Sequence, residues 1–412
     1  MESNARQPIK KLIHMKRIVL IVLASMSMMQ MSAQDCLPEG INFYSQQAID
    51  SFSINYPNCS RIGGMVSIID TIEGDITSLL GLSNISSIGG GLTILQNDSL
   101  KTLTGLDNLD SVGHNLIIRE NHSLANMANL ADLDYVGAVI IIQENASLLN
   151  LEGLDNLDTI TVLNIIGNSS LENLHNLSNL KRINGEFLIE NNQALSDLTG
   201  LENLISTHED IKIFNNDLLT DLQGLNNLNH ITSFLKIRYN DLLISLDGLE
   251  NLDTMGSGLS INDNPLLSSL AGIDDSYIHS WVGIFNNPML AVCNINSICA
   301  FLLNHSENAE IHDNAPGCNG VEEVENKCLL SVEEIDCAGT LNIFPNPTLK
   351  EINMAGIDPV KIDCIEIFNL LNQKVLIEKR KSKIDVSKLE RGIYLLKISS
   401  QGKVYRNKFI KR

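Results

Sequence analysis

Eight cysteines carry the most definite chemistry in this chain, because thiols can pair with one another, hold a metal or attack a substrate. Cys36 and Cys59 precede a long aliphatic stretch; Cys293, Cys299, Cys318 and Cys328 cluster just after it, and no cysteine lies between the two groups. Their position predicts disulfide staples at two open ends. Zinc is the competing chemistry, but the spacings lack a paired C-x-x-C pattern. Cys337 and Cys364 are left over, and spacing does not say whether they pair. Catalytic patterns are missing. There is no G-x-S-x-G, no H-E-x-x-H and no Walker loop, and Gly89-Gly90-Gly91 lacks the strand-to-helix context of a nucleotide fingerprint. The histidines, His114 and His122 among them, are scattered. The paired acids Glu209-Asp210 and Asp274-Asp275 are expected to be solvated corners. The sequence therefore predicts no catalytic, cofactor or metal residues and no enzyme.

The elements that must position any binding group are set by repetition. Asparagine recurs at Asn97, Asn121, Asn145, Asn168, Asn192, Asn216, Asn240, Asn264 and Asn287, always 23 or 24 residues apart. A fixed period of that length marks one supersecondary unit stacked on itself. In one turn, Leu92, Ile94 and Asn97 form L-x-I-x-x-N, and Leu100, Leu103, Leu106, Leu109 and Val112 follow at steps of three. The first part alternates and predicts a short strand. A step of three fits neither a strand nor an α-helix. It predicts short 3₁₀, polyproline-like or brief strand segments around a roughly triangular coil. Each asparagine is expected to point inward and to bond backbone groups and the asparagine of the next turn.

A second column, Gly81, Gly105, Asn129, Gly153, Asn176, Gly200, Gly224, Gly248 and Gly272, follows the same period. Glycine and asparagine tolerate a left-handed backbone, so a tight corner with positive φ is expected in each turn. The column ends at Ile295, which places the start of the last cap near Cys293.

The residue after the isoleucine of L-x-I points outward. That column reads Leu95, Arg119, Gln143, Ile166, Glu190, Phe214, Arg238, Asn262 and Phe285. Aromatics are only 4% of the chain, and aromatic and Arg side chains are enriched at interface hot spots. The candidate binding surface is therefore Arg119, Phe214, Arg238, Tyr239 and Phe285, with Lys212 and Lys236 nearby.

The repeated pattern resembles leucine-rich repeats, and more closely the receptor L domains of growth-factor receptors and their bacterial relatives. The resemblance covers about residues 63–290. It implies a right-handed β-helical solenoid, here of about nine to ten turns, with non-catalytic ligand or partner binding. The shared motif is core, so no ligand residue carries over. Residues 34–62 are expected to form an N-terminal cap, with Ser45 to Phe52 a short helix, and residues 291–330 a Cys-rich C-terminal cap; capping covers the exposed apolar ends of an array. Residues 331–340 are expected to be a linker.

From Leu341 the texture changes to strand-like runs with turn residues. Phe344-Pro345-Asn346-Pro347, Ile365-Glu366-Ile367-Phe368-Asn369, the block Arg391-Gly392-Ile393-Tyr394-Leu395-Leu396-Lys397-Ile398 and the closing segment from Gly402 to Arg412 resemble the type A C-terminal sorting domain of the type IX secretion system of Bacteroidetes. That resemblance implies a small Ig-like β-sandwich over residues 341–412, export across the outer membrane, and contact with the secretion machinery. At the other end, residues 1–33 have the shape of a signal peptide. Lys10, Lys11, Lys16 and Arg17 precede an apolar run at 18–24, which is too short for a membrane span. Met15 is an alternative start. A lipoprotein is the rival reading, but Cys36 follows Ala33-Gln34-Asp35 rather than a small-residue box.

Charge divides the chain in the same place. Residues 34–340 hold 9 Lys and Arg against 41 Asp and Glu, whereas residues 341–412 hold 15 against 7. An acidic body repels phosphates and excludes nucleic acid as a partner. Asp-Ser/Thr-apolar triplets at Asp70-Thr71-Ile72, Asp98-Ser99-Leu100, Asp110-Ser111-Val112, Asp158-Thr159-Ile160 and Asp253-Thr254-Met255 resemble the O-glycosylation acceptor of exported Bacteroidetes proteins. The expected function is a secreted or cell-surface binding or adhesion protein taking a surface, protein or glycan ligand. A structural surface-layer component and a carbohydrate-active enzyme are the alternatives.

Overall fold

The computed structural model describes residues 35–71, 74–330, 342–355, 359–369, 374–379, 381–400 and 403–412. The expected signal peptide, the linker, Cys337 and Ile72 lie outside them.

Each L-x-I segment is a strand of four or five residues, and successive copies pair in parallel in strict sequence order. The result is a 12-stranded parallel sheet running from Ile41–Phe43 to Ala309–His312. Register is uniform: Ile94 lies opposite Ile118, Ile118 opposite Ile142, and Ile213 opposite Ile237. Equivalent residues of successive turns therefore stack in columns, one strand spacing of about 4.8 Å apart. Two-residue strands close the other side of the coil in a four-stranded sheet (Arg61–Ile62 to Tyr135–Val136) and a six-stranded one (Thr159–Ile160 to Tyr277–Ile278). The chain is a mainly β solenoid.

Between the sheets, the steps of three are successive i→i+3 turns. Leu100 N–H donates to Asn97 O, Leu106 to Leu103 and Leu109 to Leu106, each at 3.0 Å. Each such turn returns a leucine to the interior, and Leu100, Leu103, Leu106 and Leu109 are almost fully buried. No large aromatic is needed for this core; Phe187 is the one ring buried within the repeats between Leu92 and Leu290.

The bend after each long strand is built on the asparagines. All nine are fully buried. Asn121 Nδ2 donates to Ile94 O of the preceding turn at 3.0 Å, to Arg119 O of its own turn at 3.0 Å and to Asn145 Oδ1 at 3.2 Å. Asn121 N–H also donates to Asn145 Oδ1, at 3.1 Å. Buried backbone groups left unpaired would each cost about 1–3 kcal/mol, so the ladder satisfies what the bend would otherwise orphan. A second, external ladder accompanies it. Asn108, Asn156, Asn179, Asn203, Asn227 and Asn251 each donate through Nδ2 to a carbonyl of the previous turn, at 2.7–2.8 Å.

The left-handed corner differs from the sequence expectation. Gly105, Gly153, Gly200, Gly224 and Gly248 have φ of 106–115°. Gly81, Asn129, Asn176 and Gly272 instead sit inside short 3₁₀ helices. An i→i+3 helix turns the chain with right-handed dihedrals, so those turns need no positive φ. The recurrent positive φ lies elsewhere, on the residue before each inward asparagine: Gln96, Glu120, Glu144, Asn191, Asn215, Tyr239, Asp263 and Asn286, with Gly167 the glycine of the series.

The ends are closed by different devices. At the start, Ser45 caps the helix Gln46–Asp50, Phe52–Asn55 continues it, and Cys36 is bonded to Cys59. At the end, the helix Asn296–His305 is inserted into a further turn whose strand, Ala309–His312, pairs with Trp281–Phe285. That turn adds a tenth rung to the inner ladder. Asn287 N–H and Nδ2 both donate to Asn314 Oδ1, at 3.0 and 3.1 Å, and Asn314 N–H is received by Asn319 Oδ1 at 3.2 Å. Cys293–Cys318 and Cys299–Cys328 hold this cap and the helix Val321–Leu330.

Residues 342–412 form two antiparallel sheets of three and four strands, packed over Ile352, Ile365, Ile367, Leu396, Ile398 and Phe409. Cys364 here is a free thiol. Among the described residues, no helix is long and apolar enough to cross a membrane.

Candidate functional site

Parallel register places the outward side chains of the long sheet in three rows, and the C-terminal strands fill those rows differently from the rest. In the outward column, Phe214, Arg238, Asn262, Phe285 and His312 are consecutive neighbours. The Arg238 guanidinium lies 5.6 Å from the Phe214 ring centroid, and Phe285 stacks on His312 at 5.0 Å with 8° between planes. In the next row, Lys212 and Lys236 stand side by side, followed by Ser260 and Gly283. The third row holds Phe234, Gly258 and Trp281.

The two glycines make room for the rings. A Cβ on Gly283 would lie 2.0 Å from Trp281 Cη2, and one on Gly258 would lie 2.2 Å from the Trp281 backbone oxygen and 3.0 Å from Phe234 Cε1. The indole thus occupies the space above Gly283, and Phe234 meets it edge-on at 6.3 Å. Ser260 and Asn262, although on the outer face, are 1% and 3% exposed beneath this cluster. Arg238 Nη2 donates to Ser260 Oγ at 3.0 Å, and Ser260 Oγ donates to Asn262 Oδ1 at 3.3 Å.

Electrostatics separate the cations. Lys236 pairs with Asp210 at 2.6 Å and lies over the Phe234 ring; Lys212 pairs with Glu186 and lies 3.8 Å from Asp210. Burial pushes the Asp210 carboxyl up, but hydrogen bonds from Lys236, Ser233 and the Phe234 N–H, with the Lys236 charge, outweigh it and hold it below the usual carboxylate range. Arg238 forms no ion pair with a described residue, and its Nε is buried without a hydrogen-bond partner. Hydrogen bonds to Asp313 and Glu310 hold His312 above the usual imidazole range.

Of the sequence candidates, Phe214 and Arg238 are in contact, and Phe285 stands three strands from Phe214 along the same column. Arg119 does not join them. It lies four strands before Phe214, roughly 19 Å away, where its Nε faces Glu120 Oε1 at 2.7 Å. Tyr239 sits at the positive-φ corner and is 50% exposed, beside the face rather than on it. Phe234, Ser260, Trp281 and His312 belong to the cluster but are absent from the outward column that the sequence singled out. Phe234, Ser260 and Trp281 lie in the two neighbouring rows, where Phe234 and Trp281 flank Gly258, and His312 lies one strand beyond the end of the column read from the sequence.

Two other features bear on chemistry. Asp217 and Asp241 occupy equivalent positions one turn apart; burial first, and then the Asp241 charge, push the Asp217 carboxyl up. Of the Asp-Ser/Thr-apolar triplets, Ser111, Thr159 and Thr254 fall on the two-residue strands of the closing sheets. Among the described residues, no group of three or more His, Cys, Asp and Glu is placed to hold a metal.

In the C-terminal module, Asn346 of the Phe-Pro-Asn-Pro block ties the entry to the last strand. Ile410 N–H donates to its Oδ1 at 2.8 Å, and its Nδ2 donates to Lys408 O at 3.2 Å. Tyr394 stacks on Phe409 at 5.5 Å and donates through its hydroxyl to Glu390 O at 3.0 Å. Phe344 and Pro345 are exposed, and Gly392 begins the nine-residue strand Gly392–Ser400. Residues 342–412 match the family described as a secretion system C-terminal sorting domain. The match leaves the solenoid outside it, and no curated protein matches the chain. The sorting domain marks an exported protein, delivered by type IX secretion to the cell surface or beyond.

Proposed function

We propose that this protein is a non-catalytic binding or adhesion protein of the receptor L-domain and leucine-rich-repeat kind, presented outside the cell. The sorting domain provides the address, and the outer face of the long parallel sheet provides the surface that meets the ligand. The observation that carries this reading is the Phe214–Arg238–Ser260–Asn262 cluster with Trp281. It gathers rings and an unpaired cation on a rigid ladder within a chain poor in aromatics. Interfaces favour such groups because they offer large contact area at low conformational cost. The carboxylates beside them, Glu186 and Asp210, are ion-paired, and Asp210 is held below the usual carboxylate range, which suits recognition rather than proton transfer.

A second reading, a structural surface-layer component, is favoured by the other half of the same face. There Leu95, Ile117, Ile141, Val162, Ile166 and Leu188 project outward and are only partly buried. Adjacent apolar side chains of this kind mark packing surfaces. The double variant Phe214→Ala/Arg238→Ala distinguishes the two. Under the binding reading it loses adhesion to cells or immobilised glycans while keeping its melting temperature. Unaltered adhesion overturns that reading and favours the apolar half.

A further inference from the structure

We propose that the outer face of the strands from Ile211–Phe214 to Trp281–Phe285 is a subsite for a short glycan carrying a single acidic sugar: the sugar's anionic group pairs with Arg238 and a neighbouring pyranose ring stacks on Trp281. This rests on the binding role proposed above and names its ligand.

Three observations carry it independently. Arg238 is a cation held in place but not neutralised. Ser260 and the Phe214 ring fix its orientation, and no described carboxylate pairs with it. A guanidinium fixed in this way suits a planar carboxylate or a sulfate, to which it can donate two parallel hydrogen bonds. Trp281 is the second observation. Its indole fills the space above Gly283, which lies two strands from Arg238, about 10 Å across the sheet, and two residues, about 7 Å, along it. An aromatic ring beside a flat ladder offers a stacking surface to a sugar, and the distance lets one short oligosaccharide reach both groups.

The third observation is charge. Lys212, Lys236 and Arg238 are three of the 9 cations in residues 34–340, which carry 41 acids, and they lie on two adjacent strands. The field of that acidic body opposes a polyanion, so the ligand must bear its negative charge sparsely. A peptide is the less suitable occupant. Peptides dock by adding a strand to a sheet edge or by filling a groove, whereas the cluster lies on the broad face of this sheet, inside the edge strands Ile41–Phe43 and Ala309–His312.

Trp281 is the single tryptophan of the chain, so its fluorescence reports on the site without any substitution. The test titrates the full chain with three trisaccharides: one ending in glucuronic acid, its carboxyl methyl ester, and the neutral parent bearing one sulfate. The expected result is a saturable change in Trp281 emission with the free acid, and at least tenfold weaker binding of the ester. A response to the sulfated sugar as well assigns Arg238 to anions in general; silence with it assigns the site to carboxylates. Arg238→Gln is expected to abolish the preference of acid over ester, and Arg119→Gln, outside the cluster, to leave it unaltered. Equal binding of acid and ester, an unaltered preference in Arg238→Gln, or no response to any of the three overturns the proposal. Adhesion that remains sensitive to Phe214→Ala/Arg238→Ala in that last case removes the glycan alone; adhesion insensitive to it removes the binding role too.

Discussion

Asn216 is bonded on both sides by its neighbours in the ladder: its N–H donates to Asn240 Oδ1 at 3.0 Å, and its own Oδ1 accepts the Asn192 N–H at 3.1 Å. Its Nδ2 further holds Ile189 O and Phe214 O. Asn216→Ala keeps the backbone bond to Asn240 but removes every bond made by the side chain, leaving the Asn192 N–H and the Ile189 and Phe214 carbonyls short of a partner, so a loss of roughly 2–4 kcal/mol is expected. Asn97, whose Oδ1 has no partner at the start of the ladder, should cost less when replaced by Ala. Chemical denaturation of both variants checks the order; equal losses would count against the ladder as a chain of shared bonds.

Gly200 combines a φ of 114° with a close approach, since an added Cβ would lie 2.0 Å from Leu174 O of the previous turn. Gly200→Ala must both strain the corner and push two turns apart. A loss above about 2 kcal/mol is expected. Gly320, which has no atom within 4 Å of such a Cβ, is the control, and its alanine variant should be nearly neutral. Melting temperatures of the pair decide the matter.

Stacking equal residues in columns also stacks equal charges. Burial and Asp241 raise the Asp217 carboxyl above its ordinary value. A carboxyl whose folded pKa is raised costs stability while ionised. The cost is present above the folded value and vanishes as the pH falls below the unfolded value near 4. Asp217→Asn should therefore stabilise the protein at pH 7 by a few tenths of a kcal/mol, allowing for solvent screening. The gain should fade on acidification to about pH 3. A gain independent of pH would refute the electrostatic cause.

Phe409 is fully buried and stacks on Tyr394 within the sorting domain. Phe409→Ala should cost roughly 3–5 kcal/mol, most of what holds a module of this size together. Export to the medium or cell surface is expected to fall sharply while the solenoid keeps its own disulfides. Normal export of this variant would show that the sorting signal does not need the folded sandwich.

Much of this architecture is legible in the residues because each turn repeats the same physical problem. The inward asparagines, the leucines at steps of three and the outward column all follow from a period and a strand geometry. The left-handed position before each asparagine escaped notice. It is filled by Gln96, Glu120, Tyr239 and Asp263 rather than glycine, and the roughly 1–2 kcal/mol this costs each residue is offset by the shared amide bonds beside it. Asn314 escaped for another reason: the helix Asn296–His305 lengthens its turn and breaks the period. The Trp281 platform depends on which residues face each other across strands. Gly258 and Gly283 matter there only as vacated space, which no single column displays.

The inner ladder has a direction, since each rung gives its hydrogen bonds to the next and the last rung, Asn314, gives its N–H to Asn319 within the cap. A whole turn copied between Asn192 and Asn216 would find both its giver and its receiver already waiting, whereas a copy at either terminus would not. The array can thus lengthen by internal duplication, each added coil extending the outer face by about 4.8 Å. Reach across that face is therefore open to change by whole steps, with the two closures left as they are.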